Sequence, residues 1–158
     1  MSEELKESTE IAVQNGQTNN MVPATGTPIT RCPTNLNLST NKGRALAVNG
    51  ASPANYEVTA DKPLHIVATH WLILPDGQVD EETGEVREFP RVVLYDAEGK
   101  TFRTTGIAAP AKIKLLSDMY DSDAWARGIP LLVTVLPSKK RKGAHWHDIR
   151  VDIDAIEE

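Results

Sequence analysis

The sequence predicts a mainly β domain of five strands, with one helix between the third and fourth, preceded by a disordered tail. Three observations carry this. Apolar residues recur in strand-like stretches over 62–74, 88–95, 100–105, 131–137 and 144–153, the first and last alternating with period two as half-buried strands do. The period changes to about 3.6 between Ala109 and Tyr120. Residues 1–40 are rich in Glu, Gln, Asn, Thr and Pro and hold too few apolar residues to offset the entropy of ordering. The expected organisation is therefore a polar tail over 1–40 and a folded domain over 41–156. The length of 158 residues suits one domain with a real core.

Around residues 44–49 the stretch RALAV predicts a short strand, followed by a loop at Asn49-Gly50 and Ser52-Pro53. From Lys62 a long strand begins, with Leu64, Ile66, Ala68, Leu72 and Leu74 on one face and His65, Val67, Thr69, Trp71 and Ile73 on the other. Residues 75–87 (PDGQVDEETGEVR) read as a polar, acidic connection. Two short strands, 88–95 and 100–105, flank the turn Asp96-Ala97-Glu98-Gly99, where glycine suits a position of positive φ. In the helix, Ile113, Leu116 and Tyr120 share a face, and Pro110 fits the first turn, where a missing N–H costs little. Gly128 and Pro130 bound its exit, and Trp125 reads as core. Strands over 131–137 and 144–153 follow, separated by Ser138–Gly143.

Three strands, a helix and two strands is the element order of a five-stranded OB-like barrel; an α+β sheet with one packed helix shares it. A homodimer through a strand edge is compatible with either.

Composition narrows the function. The single cysteine, Cys32, cannot form an internal disulfide. The opening MSEELKESTE is the reverse of a signal peptide's basic and apolar order, and no apolar run approaches the ~20 residues of a membrane span. A cytoplasmic protein with no membrane role is expected. No phosphate-binding loop, dinucleotide fingerprint, zinc-protease or nucleophile-elbow pattern occurs, so neither an enzyme nor a cofactor is expected. His145 and His147 point the same way on one strand, and with His65 or His70 could bind zinc. They lack a further ligand at motif spacing, so packing or a rim hydrogen bond is the expectation and no metal is assigned.

The formal net charge of −5 argues against a nucleic-acid partner until its distribution is considered. Lys139, Lys140, Arg141 and Lys142 put four successive cations in the tip between the last two strands, a local patch able to attract phosphates. A solvated hairpin end is the plainer explanation. On the last strand, Trp146, Asp148, Arg150 and Asp152 oppose Ile149, Val151 and Ile153, so Trp146 and Arg150 share a polar face suited to stacking and supporting a base. Arg91 shares parity with Phe89 and Tyr95, Phe102 shares parity with Lys100, and Trp71 lies on the mixed face of the long strand. Each of these aromatics could instead plug the core.

Taken together, RVVLYDAEGKTFRTTG, APAKIKLLSDMY and LLVTVLPSKKRKGAHWHDIRV give residues 62–156 a pattern that resembles the OB-fold single-stranded DNA-binding proteins of bacteriophages and related mobile replicons. The resemblance implies non-specific coating of single-stranded DNA during replication or recombination, in a bacterial host's cytoplasm. Lys139, Lys140, Arg141 and Lys142 would hold phosphates, and Trp146, Arg150, Trp71, Arg91, Tyr95 and Phe102 would stack or support. It also implies replication or recombination proteins as partners of the acidic tails. The acidic DEETGE connection departs from this pattern, since a strand-binding groove favours basic residues. The alternatives are a protein-interaction or assembly module, using exposed aromatics as anchors, and an acidic mimic of DNA.

Overall fold

The computed structural model describes residues 28–156. Its elements in chain order are α1 (Asn41–Asn49), β1 (Leu64–Val79), β2 (Val86–Asp96), β3 (Thr101–Thr104), α2 (Ala108–Met119), α3 (Ser122–Arg127), β4 (Ile129–Pro137) and β5 (His145–Val151). The five strands form one antiparallel sheet in the order β3-β2-β1-β4-β5. The fold is mainly β, as expected, but the sheet is not closed into a barrel. Its edges, β3 and β5, meet through side chains alone among the described residues: His147 Nδ1 lies 2.9 Å from Thr104 Oγ1, and its ring packs edge-on against Phe102. With four residues, β3 is too short to complete a ladder of ordinary length.

On the inner face Leu64, Ile66, Ala68, Val92, Leu94, Leu131, Val133 and Ile149 pack against Ala109, Ile113 and Leu116 of α2 and Trp125 of α3. Trp125 is core, as its place at the helix exit suggests. Gly128 allows the sharp exit from α3 to β4 with φ of 100°.

Three expectations need correction. First, β1 does not keep one buried parity. The β1–β2 register shifts between Ala68 and His70, leaving Thr69 as an extra residue. A bulge of this kind exchanges the two faces downstream. Trp71 and Ile73 therefore continue the inner face begun by Leu64, Ile66 and Ala68, while Leu72 and Leu74 turn outward.

Second, the outward pair is covered by chain assigned to the tail and to a strand. Cys32, Leu36 and Ala47 are buried with Leu72, Leu74, Val93 and Tyr95 in a second core on the outer side. Residues 33–35 also line the free edge of β1: Asn35 N–H donates to Trp71 O at 3.3 Å, Asn35 Oδ1 accepts from Trp71 N–H at 2.7 Å, and Ile73 N–H donates to Pro33 O at 2.9 Å. The RALAV stretch is helical because Thr40 caps it, its Oγ1 accepting from Gly43 N–H at 3.0 Å. Gly43 and Ala47, four apart, bury one face. The remaining tail, residues 1–27, lies outside the described residues.

Third, the acidic connection is mostly strand. Ladder pairing runs to Val79↔Val86, so β1 and β2 continue as a two-stranded ribbon beyond the sections paired with β4 and β3. A tight turn closes it, with Asp80 N–H donating to Glu85 O and Gly84 N–H to Asp80 O, both at 2.8 Å. No helix among the described residues is long and apolar enough to cross a membrane.

Candidate nucleic-acid interface

Antiparallel pairing from Leu131↔Val151 to Pro137↔His145 builds β4 and β5 into a regular hairpin. Its tip is tied by its own hydrogen bonds. Ser138 N–H donates to Ala144 O at 2.8 Å, and Ser138 Oγ accepts from Lys140 N–H at 3.3 Å and Arg141 N–H at 3.2 Å. Gly143, at φ of 82°, completes the turn. Lys139, Lys140, Arg141 and Lys142 are all exposed, and no ion pair among the described residues engages them.

Behind the tip, the outward side chains of the hairpin form successive rows, set by the register. Leu136 stands opposite Trp146, Thr134 opposite Asp148, and Leu132 opposite Arg150, with His65 of β1 on the far side of Leu132. Trp146 is 38% exposed, enough to offer a ring face. Arg150 is largely exposed, its Nε donating to Asp148 Oδ2 at 2.5 Å, while Asp148 itself is buried. That bond orients the guanidinium across the face and leaves its other donors available. Trp146 and Arg150 are four residues apart, ~14 Å along the strand. Val67, exposed on β1, extends the apolar strip. His65, Val67, Leu132 and Leu136 were not among the nucleic-acid candidates; the signal for the two leucines is the second apolar parity of LLVTVLP, which places leucines on both faces of β4.

Six of the ten candidates therefore come together on one exposed surface: Lys139, Lys140, Arg141, Lys142, Trp146 and Arg150. The other four do not join it. Tyr95 is fully buried in the outer core, where its hydroxyl donates to Leu46 O at 2.8 Å and burial raises its pKa. Phe102 is 2% exposed in the inner core. Arg91 is buried and ion-paired with the buried Asp76; burial lowers its pKa, and the Asp76 carboxylate opposes that shift. Trp71 is half-buried on the inner side, its indole Nε1 without a hydrogen-bond partner among the described residues. It borders a shallow pocket of about 500 Å³ with Asn35, His70, Tyr120 and Trp125, away from the hairpin face. None of the four presents a surface for base stacking beside the basic tip: the bulge turned Trp71 inward, and residues 28–50 covered Tyr95.

Charge is segregated by the topology. Because β4 runs antiparallel to β1 and extends past Leu64, the basic tip lies beyond the start of β1. The acidic turn with Asp80, Glu81, Glu82 and Glu85 lies beyond its end.

No family model, curated protein or solved structure matches the chain.

Proposed function

We propose that this domain is a non-enzymatic binder of single-stranded nucleic acid, DNA by its sequence resemblance, which coats exposed strands during replication or recombination. The observation that carries the reading is the continuity of the four-cation tip with Trp146 and Arg150 on the outer face of β4–β5. Phosphates would sit at the tip, releasing counterions, while a base stacks on the Trp146 indole and Arg150 braces the next phosphate or ring. Such contacts read no particular sequence, which suits a coating protein.

The sheet order supports an OB-type ancestry for the fold. With two helices, α2 and α3, where a single one was expected between β3 and β4, the order β3-β2-β1-β4-β5 is that of an OB barrel opened between β3 and β5, and those two edges do approach one another at His147 and Thr104. OB barrels commonly bind oligonucleotides on strands 2 and 3 and on the loops joining strands 1–2 and 4–5. Here the outer side of β1–β2 is occupied by residues 28–50 and the β1–β2 turn is acidic, leaving the β4–β5 loop and its hairpin for the ligand.

Fluorescence anisotropy with a labelled mixed-sequence oligonucleotide, single-stranded and as duplex, tests this. Replacing Lys139, Lys140, Arg141 and Lys142 by Ala should flatten the slope of log K against log salt by ~3, from about 0.7 per phosphate contact on a single strand. Trp146→Ala should weaken binding by ~1–3 kcal/mol and leave that slope intact. Absence of binding to either form at low salt would defeat the reading and favour the protein-interaction alternative. The exposed Val79 and Val86 at the end of the β1–β2 ribbon support that alternative.

A further inference from the structure

The basic tip holds four exposed cations with no ion pair among the described residues, in a chain whose net charge is −5. Two dense acidic runs are fixed where they cannot serve it. The β1–β2 turn lies past the far end of β1, ~70 Å of strand from the tip. Asp152 and Asp154 follow β5 at the end opposite the tip, and Asp152 is engaged by His65 at 3.0 Å. The third run is residues 1–10, with Glu3, Glu4, Glu7 and Glu10 against one cation, Lys6. This run has the reach. Chain enters the described structure at Pro28, and the residues after it, Cys32 and Leu36, pack on the outer side of the sheet, the side that carries Trp146. From the Pro33–Ile73 contact to Ser138 is a path of ~45 Å along β1 and β4. The 17 residues between Glu10 and Pro28 can span up to ~60 Å.

We propose that residues 1–11 dock on the outer face of the β4–β5 hairpin, with their glutamates on Lys139–Lys142 and Leu5 and Ile11 on the Leu136–Trp146 strip, so that nucleic acid binds by displacing them. The regulatory consequence rests on the strand-binding reading; the docking itself does not. Tethering keeps the acidic segment at high effective concentration near the tip, so weak contacts suffice. The competition is electrostatic and fades as salt shortens the screening length to ~3 Å at 1 M.

Two measurements on the full chain test this separately. The first places a nitroxide at Ser8→Cys, which removes none of the proposed contacts, Cys32 being buried, and follows NMR broadening of the amides of residues 138–146 without nucleic acid. Docking predicts broadening at low salt that is independent of protein concentration and is lost when the four tip cations are replaced by Ala. Absence of broadening, or broadening that grows with concentration and so comes from a second copy, overturns the proposal. The second compares oligonucleotide affinity of the wild type with a variant carrying Glu3→Gln, Glu4→Gln, Glu7→Gln and Glu10→Gln. The variant should bind ~10-fold tighter at low salt, within the usual range for coupled sites, with the gap closing as salt rises. Equal affinities at low salt overturn the competition. Concentration-independent broadening together with no oligonucleotide binding by either protein would retain the docking and reject the strand-binding reading.

Discussion

Leu36 lies in a stretch whose composition reads as tail, yet it is 6% exposed against Leu72, Leu74, Val93 and Tyr95. Replacing it by Ala is a direct test of whether residues 28–50 are part of the cooperative fold. The substitution removes three carbons from a buried site, ~2.4 kcal/mol at about 0.8 kcal/mol per methylene. A cavity term adds to this where the neighbours cannot collapse. Leu72 and Tyr95 are held by strand pairing on β1 and β2, so relaxation is limited and a total of ~2.5–4 kcal/mol is expected. Urea unfolding followed by tryptophan fluorescence and by far-ultraviolet circular dichroism should show a lower midpoint, an unchanged slope and coincident transitions. Leu115→Ala, at a residue 59% exposed on α2, is the matched control and should cost less than ~0.5 kcal/mol. If Leu36→Ala matched Leu115→Ala, the outer core would contribute nothing to stability. Residues 28–50 would then not hold the outer face of β1–β2 closed to ligands.

Two further outcomes follow from local geometry. Burial lowers the pKa of His147 beneath β3 and of His70 at the bulge, the Lys42 charge adding to the effect at His70, each from an ordinary value of 6.5. The unfolded chain binds more protons than the native one just below that value, so these groups' stability is full above about pH 6.5 and is lost as pH falls; His147→Gln should shallow the decline in a pH series of urea midpoints, and an unaltered decline would dismiss the seam as its source. Gly128→Ala places a Cβ 2.4 Å from Val67 Cγ1 at φ of 100°, whereas Gly84→Ala, at φ of 73°, meets nothing within 4 Å. The first should cost ~2–4 kcal/mol and the second only the ~1–2 kcal/mol of the backbone conformation; equal costs in thermal unfolding would mean that the close approach at Gly128 relaxes freely.

Much of the fold was legible because its signals are local. Strand-like apolar stretches found all five strands of the sheet, and the change of period found α2. What escaped was decided by tertiary contact. The Thr69 bulge leaves no mark on an alternating pattern, since Trp71, Leu72, Ile73 and Leu74 are apolar on both parities and only the partner strand determines which pair turns inward. Residues 28–40 carry few apolar side chains, but Cys32 and Leu36 meet an outer face already rich in leucine, valine and tyrosine, so a polar segment needs only those few to be held. The RALAV stretch contains strand and helix formers alike. Thr40 as a cap and Gly50 after the last turn were the deciding local cues.

The candidate site divides along the same line. The tip cations, Trp146 and Arg150 were readable because β4 and β5 form a regular hairpin without a bulge, so parity in the sequence is parity in space. Trp71, Arg91, Tyr95 and Phe102 were grouped with them on the same parity argument, but Trp71 lies downstream of the bulge, Tyr95 beneath the covering segment, Phe102 in the inner core and Arg91 buried against Asp76, where parity does not report exposure. The displacement has a functional consequence. Once residues 28–50 occupy the outer side of β1–β2, the largest aromatic left at the sheet surface beside a cation cluster is Trp146, and a ligand using both must run along the hairpin. Affinity should then depend on the spacing between the tip and Trp146 in β5, and not on Tyr95 or Phe102, whose substitution would be felt as lost stability.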